Sequence, residues 1–163
     1  MNISKQKQSL RQATSCFLIK DNKVLLAMKK RGFGVGKWNG PGGKPNPEES
    51  IEETAVRETY EEIGVTIKTF DRVATLDFFF PSDKEKHGWN QQVCVYLVKS
   101  WEGEPTETEE MMPKWFKFSE IPYKDMWVDD IYWLPQVLKG KKLKGTFTFA
   151  SDESLQNFEV IEI

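Results

Sequence analysis

Cysteine is almost missing from this chain: Cys16 and Cys94 are the only two. They lie far apart in separate apolar runs and make no CxxC pair, which excludes a disulfide framework and a cysteine-based zinc site. Both are expected as buried core thiols. An excess of positive charge is missing too, since 23 Lys plus Arg face 25 Asp plus Glu for a net charge of -2. No overall field exists to hold a nucleic-acid polymer, so a nucleotide would have to be captured by local groups. Long hydrophobic runs are absent as well. None approaches the ~18 residues of a membrane span, and segment 1–12 is polar with no apolar signal core. These absences predict a cytoplasmic protein with no membrane partner. There are also no internal repeats, low-complexity tracts or linkers.

What is present suffices for one core. Hydrophobic residues make up 39% and aromatics 13% of 163 residues, which fits a single domain over 1–163 behind a polar lead-in at 1–12. Runs 13–20 and 23–29 read as strands joined at Asp21-Asn22, a pair suited to a tight hairpin. Of the 11 glycines, Gly32, Gly34, Gly36, Gly40, Gly42 and Gly43 crowd into one stretch. Such a stretch is predicted to lack regular structure and to bring backbone close to something, which makes it the first place to look for a ligand. From about 49 to 63 there are good helix formers, with Pro45 and Pro47 before them and Gly64 as a stop. Runs 65–80 and 91–99 read as strands separated by a polar loop with His87 and Trp89, and 114–118 as another strand. A short helix is expected at 131–138, then a closing strand pair at 146–150 and 158–163. Mixed strands around one or two helices predict an α/β (α+β) sandwich.

On the predicted helix, Glu58, Glu61 and Glu62 stand at i, i+3 and i+4, so three carboxylates share one face. One reading is a solvated acidic surface screened by Arg57 and the lysines. The other is a site for a hard divalent cation, which takes oxygen ligands and bridges protein carboxylates to substrate phosphates. The glycine loop just upstream favours the second, because backbone at Gly42 and Gly43 can approach an ion or phosphate where a side chain would obstruct it.

The segment running from Gly43 through Glu49 to Arg57-Glu58, Glu61-Glu62, Gly64 and Val65 resembles the signature box of the Nudix hydrolases. The resemblance implies an α/β/α sandwich with a mixed central sheet, and hydrolysis of a nucleoside diphosphate linked to another moiety with one to three Mg2+ ions, for which Mn2+ can substitute. It implies that Glu58, Glu61 and Glu62 ligate metal together with the Gly42 carbonyl, and that Arg57 orients a glutamate. A further carboxylate outside the box often serves as ligand or base, and Glu110, chosen over Glu109 by its position before Met111-Met112-Pro113, is the candidate. One box position departs: Thr59 stands where a bulky aliphatic residue is usual.

The similarity extends beyond the box to the animal-type oxidised purine nucleoside triphosphatases, which act on 8-oxo-dGTP and 2-hydroxy-dATP. Its carriers are Leu25-Leu26 and Met28 to Gly34, Gly36 with Trp38-Asn39-Gly40, and the run from Lys124 through Met126-Trp127 and Asp129-Asp130 to Tyr132-Trp133. A purine pocket suits these residue types. Trp127 offers a face for stacking, Phe33, Phe78 and Phe80 can form apolar walls, and Asn39 can present a donor and an acceptor. The resemblance further assigns Thr14, Lys29, Gly42, Gly43 and Lys44 to substrate binding. It makes Asp129-Asp130 the readers of the base edge, where two crowded carboxyls favour sharing one proton and so offer one donor and one acceptor. The residue-level alternative for that pair is an acidic helix cap before Ile131. Pro41 replaces an expected aromatic, Gln91 an expected methionine, and the loop 81–90 is longer. The expected product is a monomeric enzyme that converts an oxidised purine nucleoside triphosphate to monophosphate and pyrophosphate. The alternatives are another nucleoside triphosphate, a dinucleoside polyphosphate, or a non-catalytic nucleotide-binding module. Loss of a box glutamate would favour the last, and none is lost.

Overall fold

A computed structural model describes residues 10–81 and 89–163. Strands β1 (Arg11–Lys20) and β2 (Lys23–Lys29) form the predicted hairpin. Asp21 and Asn22 take φ of 52° and 60°, the left-handed pair that a two-residue turn requires and that Asp and Asn tolerate. The chain continues through β3 (Trp38–Asn39), α1 (Ile51–Ile63), β4 (Thr66–Phe79), β5 (Gln91–Glu102), β6 (Met111–Lys117), α2 (Asp130–Leu138), β7 (Leu143–Phe149) and β8 (Leu155–Glu162). The sheet order is β3-β2-β1-β5-β4-β7-β8, with β6 also pairing with β2. The β1–β5 and β4–β7 pairs are parallel and the others antiparallel.

Both faces of this mixed sheet are covered, and period-two alternation sorts residues between them. Phe17, Val24, Leu26, Val95 and Leu97 face one cluster, shared with Trp133, Leu134 and Val137 of α2. Their chain neighbours Cys16, Leu18, Leu25, Cys94, Tyr96 and Val98 face the other, under Ala55 and Ile63 of α1. The result is the α/β/α layering that the resemblance implies.

Helix α1 begins at Ile51, two residues later than the propensity reading. Ser50 and Glu53 form a reciprocal capping box, and Gly64 closes the helix at φ 74°. Thr59, at the position where a bulky aliphatic is usual, is fully buried. Its hydroxyl faces the Cys16 thiol, whose pKa burial pushes up to about 12. Both cysteines are free and buried, as predicted. The first turn of α1 is tied to the sheet by Glu52, which accepts from Tyr96 Oη at 2.7 Å and Arg72 Nη2 at 3.0 Å.

The differences from the sequence reading are local. The stretch predicted to be irregular includes the two-residue β3, formed because Trp38 is drawn into the core and Ala27 and Met28 pair with it and Asn39. The strand expected at 114–118 starts at Met111 because β6 pairs along the whole of β2. β7 starts at Leu143, earlier than 146, where its parallel pairing with β4 begins. Residues 1–9 of the polar lead-in, and most of the loop 81–90 with His87, lie outside the described residues; Arg11 and Gln12 belong to β1.

Candidate active site

Beyond its hairpin pairing, the first half of β1 carries the glycine loop. The Thr14 N–H donates to the Gly43 carbonyl at 2.9 Å and the Cys16 N–H to the Pro41 carbonyl at 2.7 Å. Thr14 Oγ1 accepts from the Gly43 N–H at 3.1 Å, so the predicted binding threonine also locks the loop. The approach is too close for any side chain. A Cβ on Gly42 would run into the Thr14 carbonyl, and one on Gly43 into the Glu58 carboxylate. Here the backbone contact predicted from glycine content is realised between loop, strand and helix.

The three helix carboxylates meet different environments. Glu62 is 3% exposed and accepts the Gly42 N–H at 2.7 Å. Burial pushes its pKa up to about 7, with Glu58 and Glu110 adding repulsion against the relief from Gly42 and Lys29. Glu58 is also raised, chiefly by burial, despite its bond from Arg57 Nη1 at 2.7 Å. Glu61 is largely exposed and contacts the same Arg57 nitrogen at 3.2 Å. Arg57 is the hub. Its Nε and Nη2 grip the two oxygens of Glu49 at 2.8 and 2.9 Å, and Nη2 also donates to the Lys44 carbonyl. Fork-on-carboxylate geometry of this kind is the strong form of the ion pair, and it holds the Glu49 pKa down to about 2.

Glu110 is exposed and pairs with Arg31 at 3.3 Å. Its charge still reaches both Glu58 and Glu62. Among the described residues no three acidic, histidine or cysteine side chains form a ready-made ion cage. The reason is Arg57, which draws Glu58 and Glu61 to itself. The donor set nevertheless suits a hard cation: all are oxygens, they repel one another, and no hydrogen bond among the described residues reaches the Gly42 carbonyl beside them.

The glycine loop also borders a cavity of about 230 Å3. The predicted residues Thr14, Lys29, Phe33, Asn39, Gly42, Gly43, Lys44, Phe78, Phe80, Trp127, Asp129 and Asp130 all line it. Arg57, Glu58, Glu61, Glu62 and Glu110 do not, so the carboxylate cluster lies outside the cavity. Phe33 packs on Trp127 with centroids 5.1 Å apart, and Phe80 stacks flat on Phe149 at 4.8 Å. Asn39 is less free than its residue type suggests, because its Oδ1 accepts the Gly40 N–H at 2.8 Å. Its side-chain N–H groups make no hydrogen bond among the described residues. Gln91 lines the cavity floor as well.

Asp129 and Asp130 are 2% and 3% exposed at the cavity wall. The helix-cap reading fails for Asp129: it occupies the N-cap position but makes no capping bond. Its Oδ2 instead accepts the Trp133 Nε1–H at 2.8 Å. Asp130 Oδ2 is buried with no hydrogen-bond partner among the described residues. Burial raises both pKa values, and for Asp130 the Asp129 charge adds to a larger rise. The two carboxyls are in hydrogen-bonding contact, a contact that needs a proton on one of them.

Residues without a predicted role also enter the site. Glu49, part of the recognised spacing, holds Arg57, while Ser15, Lys37 and Met111 line the cavity. Alternation along β1 could have found Ser15, and pairing of β2 with β6 brings in Met111, which no local pattern reports.

The NUDIX domain model matches residues 9–137. The chain is similar to the oxidized purine nucleoside triphosphate hydrolases of Danio rerio and Mus musculus. It is 39% identical to each over 150 residues, covering 92% of this chain and 94% of each relative. Its fold matches the crystal structure of a mutator MutT protein from Bacillus halodurans with a TM-score of 0.81 at 29% identity, over 93% of this chain and 97% of the other. With the box residues assembled around the glycine loop, the chain belongs to the NUDIX family of hydrolases.

Proposed function

We propose that this protein hydrolyses oxidised purine nucleoside triphosphates, 8-oxo-dGTP and 2-hydroxy-dATP, to the monophosphate and pyrophosphate, and so cleanses the nucleotide pool. The observation that carries this reading is the buried Asp129–Asp130 pair on the wall of an aromatic cavity. A partnerless buried carboxyl oxygen is costly unless a ligand completes it, and a purine edge offers the donors and acceptors that do so. The names of the two animal relatives support the same substrate class.

In this reading the purine lies between Trp127 and the phenylalanine walls with its edge on the aspartates, and Asn39 donates to it. The triphosphate runs toward the glycine loop, where Lys29 and Lys44 oppose its charge. Nudix hydrolases use divalent metal ions, and Mg2+ is the ion proposed here. When bound, the cation offsets phosphate charge and lowers the pKa of a water. Glu58, Glu61, Glu62, Glu110 and the Gly42 carbonyl are the oxygens that would hold it, and Arg57 keeps the helix carboxylates in position through its fork on Glu49. A monomer is proposed, to be checked by the mass in solution. No helix among the described residues is long and apolar enough to cross a membrane, and a cytoplasmic enzyme is proposed.

The test is pyrophosphate release with Mg2+ across oxidised, O6-methylated and ordinary nucleoside triphosphates and a dinucleoside polyphosphate. The expected result is the highest kcat/KM for the two oxidised purines. Preference for any other group overturns the substrate assignment, and no release from any overturns the enzyme reading.

A further inference from the structure

Residues 103–110, between β5 and β6, lie outside the signature box, yet they are tied to its end. A helix leaves its last carbonyls without partners inside the helix. At α1 two of these are taken by the one loop: the Thr106 N–H donates to the Ile63 carbonyl at 2.8 Å, and Thr108 Oγ1 donates to the Glu62 carbonyl at 2.8 Å. The Thr108 hydroxyl also accepts the Glu110 N–H at 3.2 Å and the Met111 N–H at 3.3 Å. A hydroxyl has one proton and two lone pairs, and here all three are in use. One oxygen thus joins the backbone of Glu62 to the backbone of Glu110. From the other side the Glu110 carbonyl accepts the Lys30 N–H at 2.9 Å.

The two residues so joined differ in how their carboxylates are held. Glu62 is buried, and its carboxylate is placed by the Gly42 N–H at 2.7 Å. Glu110 stands on a loop, and its carboxylate meets Arg31 Nη2 at 3.3 Å with both side chains open to water. An exposed pair of that kind holds a side chain weakly, so the reach of the Glu110 carboxylate is set by where its backbone is pinned. Met111 shares the hydroxyl but is also paired with Lys29 in the sheet and packed in the core. Loss of the hydroxyl therefore falls chiefly on Glu110.

We infer that Thr108 is a positioning residue for hydrolysis: its hydroxyl fixes Glu110 relative to Glu62, so that the loop carboxylate and the helix carboxylates face one ion site. The inference rests on the ligand role proposed above for Glu110. Thr108 itself does not line the cavity and acts through the backbone of Glu110. Serine can make the same three hydrogen bonds, and valine, of nearly the same shape, can make none of them.

The experiment uses the full chain with Thr108→Val, Thr108→Ser and Thr106→Val, the last removing a hydroxyl of the same loop that donates to the Glu104 carbonyl. Thr108→Val is also combined with Glu110→Gln. Readouts are kcat and KM with Mg2+ on the nucleoside triphosphate that the wild type hydrolyses fastest, Tm, and amide hydrogen exchange at Glu110 without metal or nucleotide. Thr108→Val should lower kcat about tenfold with less effect on KM, and should speed Glu110 exchange about tenfold. Thr108→Ser should recover most of both losses, and Thr106→Val should match wild type. Added to Glu110→Gln, Thr108→Val should cost little further kcat, because the residue it positions is already disabled. A lower Tm with kcat unchanged, or losses of kcat that multiply in the double variant, would reduce Thr108 to a cap of α1 and overturn the proposal. Unmoved Glu110 exchange overturns it as well. Wild-type kcat in Glu110→Gln alone would instead sink the ligand reading, and the proposal with it. Choosing the fastest substrate keeps a wrong base assignment from imitating any of these results.

Discussion

Trp133 donates its indole N–H to Asp129 Oδ2 at 2.8 Å across one turn of α2, while the adjacent Asp130 keeps a buried oxygen with no hydrogen-bond partner among the described residues. Two neighbours of the same residue type are thereby made chemically unlike. One is suited to charge, the other to a proton or a ligand.

Replacing either aspartate by asparagine fixes an amide donor where the proposed base reading calls for a movable proton. Discrimination between 8-oxo-dGTP and 2-hydroxy-dATP should change by ~1 to 3 kcal/mol in Asp129→Asn and in Asp130→Asn, as a buried polar group loses its match. Trp127→Ala should weaken all purines together, since stacking ignores edge chemistry. Steady-state kcat/KM for both nucleotides and dGTP reads all three variants. Unchanged ratios in both asparagine variants would remove the main support for oxidised-purine recognition.

The same pair should make stability depend on pH. The Asp130 pKa is raised in the folded state, mainly by burial. Above the unfolded carboxyl value of ~3.9 the native state therefore holds more protons than the unfolded state, and stability declines as pH rises through the folded pKa. Asp130→Asn removes that decline. Melting temperatures measured from pH 4 to 8 should show the variant gaining on wild type as pH rises. Parallel profiles would mean that Asp130 is not held protonated.

At the acidic helix, Glu62→Gln keeps an oxygen to accept the Gly42 N–H, so folding and Tm should stay near wild type while turnover collapses. A tenfold or larger fall in kcat, ~1.4 kcal/mol or more on the barrier, is expected at saturating Mg2+. Glu110→Gln should lower kcat more than it raises KM, and Glu109→Gln should do little. Equal effects at 109 and 110 would undo the choice between them.

Gly42 and Gly43 should fail in different ways. A methyl at Gly42 meets the Thr14 backbone carbonyl, which cannot move without shifting β1. Gly42→Ala should cost ~1 to 3 kcal/mol of stability, as overpacking does. A methyl at Gly43 meets the Glu58 carboxylate, the end of a flexible side chain. Gly43→Ala should therefore lose activity with a smaller fall in stability. Chemical denaturation alongside kcat separates the two, and the reverse order would contradict the loop geometry.

Much of this site was legible because it is local. The hairpin at Asp21-Asn22, helix α1 with its Gly64 stop and the box spacing are all set by residues within a few turns of one another. The pocket aromatics and aspartates needed the wider resemblance, since alone they read as core and cap. What sequence could not reveal is tertiary. Arg57 divides its contacts among Glu49, Glu58 and Glu61, so the three helix carboxylates are not poised alike. Lys37 reads as a loop cation until Trp127, ninety residues on in the chain, comes beneath it. Asn39 looks like a free reader until Gly40 takes its oxygen.

The parallel pairing of β1 with β5 also governs when this protein can work. Gln12 and Gln92 sit side by side though separated by 80 residues of chain. Thr14 of that strand holds the glycine loop and Ser15 lines the cavity, so both halves of the site hang on one long-range closure. Helix α1 and the first hairpin can form early from nearby contacts, but pairings of such separation carry the loop-closure entropy that slows folding. During synthesis β1 must wait for β5 to emerge. Nucleotide hydrolysis is thus a late event in the life of the chain, switched on when strands far apart in sequence meet.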